Sequence, residues 1–178
     1  MIIELERKRR SIRRYKDKQI ETEELNSLVE AALLSPTSRA HYPWEFVVVD
    51  DKSLIKKLAV AKPAGAAFLA GAPLAIVVCA DVEKSDVWIE DAAIASTMLL
   101  LEAESLELGA CWIQIRNRPH DDEISAEDYI RGMLGLPDKI AVLSIIAIGY
   151  PDENKPARSK DELLYDRVHK NSYGTPLD

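Results

Sequence analysis

Glycine is scarce in this 178-residue sequence: there are seven, and none falls into a G-x-G-x-x-G or a G-x-x-x-x-G-K-[ST] pattern. A Rossmann fingerprint and a P-loop are both missing, so side chains must do much of the work of gripping any phosphate. The three histidines, His41, His120 and His169, lack metal-ligand spacing, and no C-x-x-C or G-x-S-x-G occurs. The two cysteines, Cys79 and Cys111, lie in apolar runs, which suits buried thiols in a reducing compartment better than a disulfide framework. The longest apolar segment, residues 92–101, is broken by Ser96 and Thr97 and is too short to span a bilayer. The first six residues turn charged after three apolar ones, unlike a signal peptide, and the expected location is the cytoplasm. A formal charge of -7 argues against nucleic acid or an anionic membrane as partner.

What is present reads as one globular domain over residues 1–178, with 47% hydrophobic and 30% charged residues. The spacing predicts a short helix over 2–10. An amphipathic helix follows, capped by Thr22 and stopped at Ser35-Pro36. Strands are expected at 44–49, 74–79, 110–115 and 140–148. Between them fall a helix over 54–60 capped by Asp50 or Asp51, a turn of helix near Phe68, and a helix from Ser125 to about Leu134. The longest helix is expected from Ser85-Asp86 to Glu107, closed by Gly109. A last short helix is expected over 162–169. The long helix is apolar nearly all round at 92–101, so one face is more easily covered by a second subunit than by its own chain.

Two segments could carry chemistry. Residues 7–15 read Arg-Lys-Arg-Arg-Ser-Ile-Arg-Arg-Tyr. Guanidinium groups and a serine hydroxyl can grip a phosphate, although a solvated basic face has the same composition. The polar stretch of residues 35–43, leading into Trp44-Glu45-Phe46, could offer donors to a planar ligand or be only a loop. His120-Asp121-Asp122-Glu123 reads as a solvated turn rather than a metal site, since consecutive residues do not converge on one ion. Cys111 reads as a structural thiol, and Trp44 and Trp112 as core residues, with stacking on a ring as the alternative.

Together these segments resemble the nitroreductase family of flavoproteins. Arg9-Arg10-Ser11-Ile12-Arg13-Arg14-Tyr15 matches its R-[RH]-S-x-R-x-[FY] opening. Ser35-Pro36-Thr37 through Pro43-Trp44-Glu45-Phe46 matches its A-P-S-A-x-N-x-Q-P-W-x-F loop. Asp91-Ala92-Ala93 through Leu108-Gly109-Ala110-Cys111-Trp112-Ile113 is similar to its central helix and following strand. Leu134-Gly135-Leu136-Pro137 and Gly149-Tyr150-Pro151 are similar to its closing elements. Ala40 stands where asparagine is usual and Tyr42 where glutamine is usual, with Arg39 as an additional cation between the two matched halves of the loop.

The resemblance implies an α+β layered fold, with a central mixed, mostly antiparallel sheet flanked by helices, assembled as a homodimer with the flavin site at its interface. It implies FMN as cofactor, NADH or NADPH as electron donor, and ping-pong two-electron reduction of a nitroaromatic or quinone-type small molecule. Flavin storage or a nicotinamide-independent flavin reaction is the alternative. Arg9, Arg10, Ser11 and Arg13 would hold the phosphate and ribityl chain. Pro36, Thr37, Ser38 and Ala40 would line the ring, with Tyr42 beside them. Trp112, Ile113 and Gln114 would bring backbone to the flavin N5 edge, Gly149 and Tyr150 would close the cavity, and Arg158 or Lys160 would add a phosphate contact. Hydride chemistry belongs to the cofactor, so no dedicated acid, base or nucleophile is expected.

Overall fold

All four apolar runs become strands, and all four join one sheet. The computed structural model describes residues 1–177. Trp44–Val49 (β1), Leu74–Asp81 (β2), Gly109–Gln114 (β3) and Ile140–Gly149 (β4) pair in the order β1-β2-β4-β3, each neighbouring pair antiparallel. The mixed character expected of the sheet survives only as one parallel bridge, Ser11 to Ala110, on the outer edge of β3. Every residue of β2 and β4 is buried, because helices cover both faces of these two central strands.

Strand alternation sorts the core into two clusters. On one face Val77, Val142 and Ile145 pack with Ile55 and Leu58 of the helix Lys52–Leu58 and with Ile130 of the helix Ala126–Leu134. On the other, Ile76, Val78, Ile146 and Ile148 meet Leu28 and Ala32 of Thr22–Leu33, and Leu99 and Ala103 of Trp88–Ser105. With the N-terminal Ile2–Lys8 these helices are, in chain order, α1 (Ile2–Lys8), α2 (Thr22–Leu33), α3 (Lys52–Leu58), α4 (Trp88–Ser105) and α5 (Ala126–Leu134).

The ends of the helices correct several expectations. α2 is capped by Glu21, not Thr22: a reciprocal capping box forms with Glu24, whose Oε2 accepts the Glu21 amide at 2.9 Å. Asp51, not Asp50, caps α3 and accepts from Ser53 and Leu54. α4 begins at Trp88 and not at Ser85, because Ser85 turns its hydroxyl to the Val87 amide and to Asp91. Gly109 is no cap but the first residue of β3. A Cβ there would come within 2.6 Å of Ile12, so the close passage of the N-terminal segment requires glycine. α1 ends at Lys8 because Arg9 turns extended. The last helix resolves into two short 3-10 turns, Lys160–Glu162 and Tyr165–Arg167.

α4 is not buried all round. Ala92, Ala95, Leu99 and Ala103 are buried, whereas Ile94 and Thr97 are exposed and Met98 and Leu101 half-buried. Beside Met98 and Leu101 lie exposed Ile2 and Leu34, and Leu33 of α2 is exposed as well. From Pro156 to Leu177 every residue is exposed, including Leu163, Leu164, Tyr165 and Val168. Among the described residues no helix is long and apolar enough to cross a membrane.

Candidate functional site

The arginine motif is positioned by the edge of β3. After Arg9 leaves the helix, the Ile12 amide donates to the Ala110 carbonyl at 3.0 Å. The segment after β4 then clasps the motif from the other side: Lys16 donates to the Tyr150 carbonyl, Asp152 to the Arg14 carbonyl, and the Arg13 amide to Glu153 at 2.6 Å. Gly149 permits this clasp, since a Cβ would sit 2.6 Å from Pro73 and 2.8 Å from the Tyr15 ring. Tyr15 is itself pinned, its hydroxyl donating to the Ile12 carbonyl at 2.6 Å, and burial pushes its pKa up strongly.

Cations converge at the start of β3. Burial pushes the Cys111 thiol up, while Arg13, a hydrogen bond from Ser11, Lys155 and Arg9 all pull it back down. Arg13, Lys155, Arg9 and the Ser11 hydroxyl thus lie close enough to Cys111 to act on its thiol. Lys155 was not foreseen in the sequence; its ammonium donates to the Ser11 carbonyl and pairs with Glu153 at 3.3 Å. Arg10 points elsewhere. Its guanidinium donates to the Pro156 carbonyl and lines a cleft of about 430 Å³ with Lys8, Glu104, Glu153 and Lys155. Arg158 and Lys160 are exposed on the terminal segment, where the Arg158 amide donates to the Arg7 carbonyl.

Along β3 the backbone continues the same edge. The Ala110 carbonyl faces Ile12, off the sheet, so alternation turns the backbone groups of Trp112 and Gln114 off the same edge. The Trp112 indole donates to Gln114 at 3.0 Å, and the Gln114 amide donates to the Arg116 carbonyl. The Ile113 side chain faces the opposite way, into the α3 and α5 core. Tyr150, expected at the mouth of the cavity, donates its hydroxyl to Glu24 of α2 instead.

The polar loop of residues 35–43 has an unusual backbone. Arg39, Ala40 and Tyr42 have φ of 52°, 54° and 45°. Left-handed conformations at residues with a Cβ cost on the order of 1–2 kcal/mol each and persist only where neighbours hold them. The Ser38 amide donates to Asp91 at 2.8 Å and the Tyr42 amide to Thr37 Oγ1 at 3.1 Å; the Asp81 amide donates to the Pro43 carbonyl at 2.8 Å. His41 Nδ1 meets the Lys84 carbonyl at 2.7 Å. Pro36, Ser38 and Ala40 are exposed, Thr37 half-buried, and Tyr42 is 52% exposed with its ring edge-on to Trp44.

The two parts of the site lie apart. The loop is tied to α4 at Asp91, whereas Lys8 and Arg9 act on Glu104 near the other end of that helix. The distance is about 20 Å at 1.5 Å per residue. Across the sheet the loop enters beside Ala80 and Ala141, and the motif joins beside Ala110 and Ile148. The two halves occupy diagonally opposite corners, on opposite edge strands. His120 belongs to neither half; it stacks on Tyr129 at 4.1 Å. Asp121 is spent on the amides of Glu123 and Ile124.

Comparisons with known proteins give the family and the fold. A solved structure titled FMN-dependent nitroreductase, from Clostridium difficile, is 50% identical and superposes with a TM-score of 0.95, covering 96% of this chain and 99% of that one. A sequence of Archaeoglobus fulgidus, provisionally named NADH dehydrogenase/NAD(P)H nitroreductase, is 36% identical over 93% of this chain and 94% of its own length. A Bacillus subtilis FMN reductase [NAD(P)H] is 26% identical over 91% of this chain and 72% of its own length. The family model described as the nitroreductase family matches residues 7–64 and 56–150, spanning both the arginine motif and the left-handed loop. The chain belongs to the nitroreductase family.

Proposed function

We propose that this chain, as one domain over residues 1–178, binds FMN and carries out two-electron reduction of a nitroaromatic or quinone-type acceptor with NADH or NADPH as donor. We place this activity in the cytoplasm and the site at a homodimer interface. When bound, the flavin supplies the hydride chemistry, and the protein's part is to bind, orient and exclude water. Arg9, Ser11, Arg13 and Lys155 fit the phosphate end, with Arg10 holding the 151–157 segment in place. Trp112 and Gln114 offer their backbone groups on the open edge of β3 to the ring, Ile113 between them is held by β4, and Gly149 closes the corner beneath. Pro36, Thr37, Ser38, Ala40 and Tyr42 supply the other wall of the ring site. Arg158 or Lys160 adds a contact from the exposed terminal segment.

The observation that carries the interface is the diagonal separation of the two halves. One chain cannot bring both to a single flavin, whereas a two-fold axis through the open face of α4 sets the loop of one copy beside the arginine motif of the other. The exposed apolar set on α1, α2 and α4, and the apolar residues left exposed along the terminal segment, support a second copy as the occupant.

Mixed dimers test this directly. Arg13→Ala damages one half and Ala40→Glu the other, and each variant alone should lose FMN. After the two are unfolded and refolded together, random pairing should restore FMN to about a quarter of the wild-type stoichiometry, since half the dimers carry one intact site. No recovery from two folded variants would contradict an interface site.

A further inference from the structure

Among the described residues two carboxylates are buried, Asp81 and Asp91. Asp81 has a cation, Lys139 at 2.7 Å, but no ion pair forms to Asp91. Asp91 lies in the first turn of α4, where the helix dipole favours a negative charge, yet it does not cap that helix. Both oxygens are spent outside the helix. Oδ1 accepts the Ser38 amide at 2.8 Å, and Oδ2 accepts the hydroxyl of Ser85, itself buried, at 3.2 Å. The amide so held immediately precedes the left-handed pair Arg39 and Ala40.

We propose that Asp91 is a positioning residue for the ring-side wall of the site: by clamping the Ser38 amide to α4, it fixes the left-handed turn and the direction of the donors the loop presents. This rests on the reading of the loop as flavin-lining. The three left-handed residues have no glycine among them, so local sequence does not hold this shape. The Thr37 hydroxyl braces the Tyr42 end, and Asp91 braces the Ser38 end from outside the loop. With no cation paired to it, Asp91 keeps both oxygens for the Ser38 amide and the Ser85 hydroxyl.

The test uses Asp91→Ala and Asp91→Asn, the second retaining an oxygen for Ser38. Arg39 is exposed inside the turn and reports on the loop through trypsin. In FMN-free protein, Asp91→Ala should speed cleavage after Arg39 by about tenfold, the equivalent of one lost charge-assisted hydrogen bond, with cleavage after Lys57 in α3 unchanged. FMN affinity should fall by a similar factor, and Asp91→Asn should return both readouts to within about threefold of wild type. Where Asp91→Ala does not fold, Ser85→Ala, which removes the support at Oδ2 together with the acceptor of the Val87 amide and leaves the Ser38 contact in place, should shift both readouts in the same direction by less. Equal acceleration at Arg39 and Lys57, or an Asp91→Asn protein as impaired as Asp91→Ala, would overturn the proposal. Failure of wild-type protein to bind FMN would overturn the ring-side role along with the reading beneath it, and the tryptic comparison would then judge the clamp alone.

Discussion

Arg10 and Arg13 are three residues apart in one motif and face different neighbours. Arg13, like Arg9, Ser11 and Lys155, lies close enough to lower the Cys111 thiol, and its guanidinium is 5.6 Å from the centre of the Phe68 ring; Arg10 is taken up by the Pro156 carbonyl. Arg13→Ala should therefore weaken FMN binding by about 10- to 100-fold, the value of a charge-assisted contact, as read by fluorescence titration. The motif was legible in the sequence because it is local. Lys155 was not, since its contact to Ser11 spans most of the chain and no spacing rule reaches that far. Nor was Asp91 recognised as a loop anchor, as a carboxylate early in a helix ordinarily reads as a dipole partner. Gly149 gives a second prediction at this scale. Gly149→Ala forces a methyl against Pro73 and Tyr15, and should cost about 1–3 kcal/mol in urea unfolding; no loss of stability would mean the clasp can yield.

At the scale of elements, the strands were legible almost to the residue, because β2 and β4 are covered on both faces and so read as unbroken apolar runs. Helix starts were less legible. Ser85 has the composition of a cap but serves Asp91, and Thr22 was displaced by a glutamate box one residue earlier. The left-handed loop was invisible because none of its three strained residues is glycine. The end of β2 is tied to the start of β4 by Asp81 and Lys139. A hydrogen bond from Lys139 lowers the Asp81 pKa below its ordinary 3.8. A carboxylate depressed in the folded state contributes stability that is present above its unfolded pKa and lost as the pH falls through the folded one. Asp81→Asn should flatten the loss of stability that begins below pH 3.8 in wild-type protein; identical acid profiles would deny the pair that role.

At the scale of the whole molecule, one chain holds both halves of the site and joins neither to the other. The sequence showed the family and the halves, and the all-apolar stretch of α4 indicated a covered face. The diagonal placement of the halves could be seen only once register and strand order were known. On the proposed interface site, cofactor binding and assembly are one event, so conditions that separate the copies should also release the flavin.

The most direct measurement is the absorption spectrum of the purified protein between 300 and 550 nm, before and after anaerobic addition of NADH and then NADPH. Flavin bands that bleach with either nucleotide, and return with a quinone, are the predicted result. A spectrum flat beyond 320 nm, still flat after incubation with FMN and desalting, would contradict the cofactor. Bands that never bleach would contradict the reductase and leave a flavin-holding protein in its place.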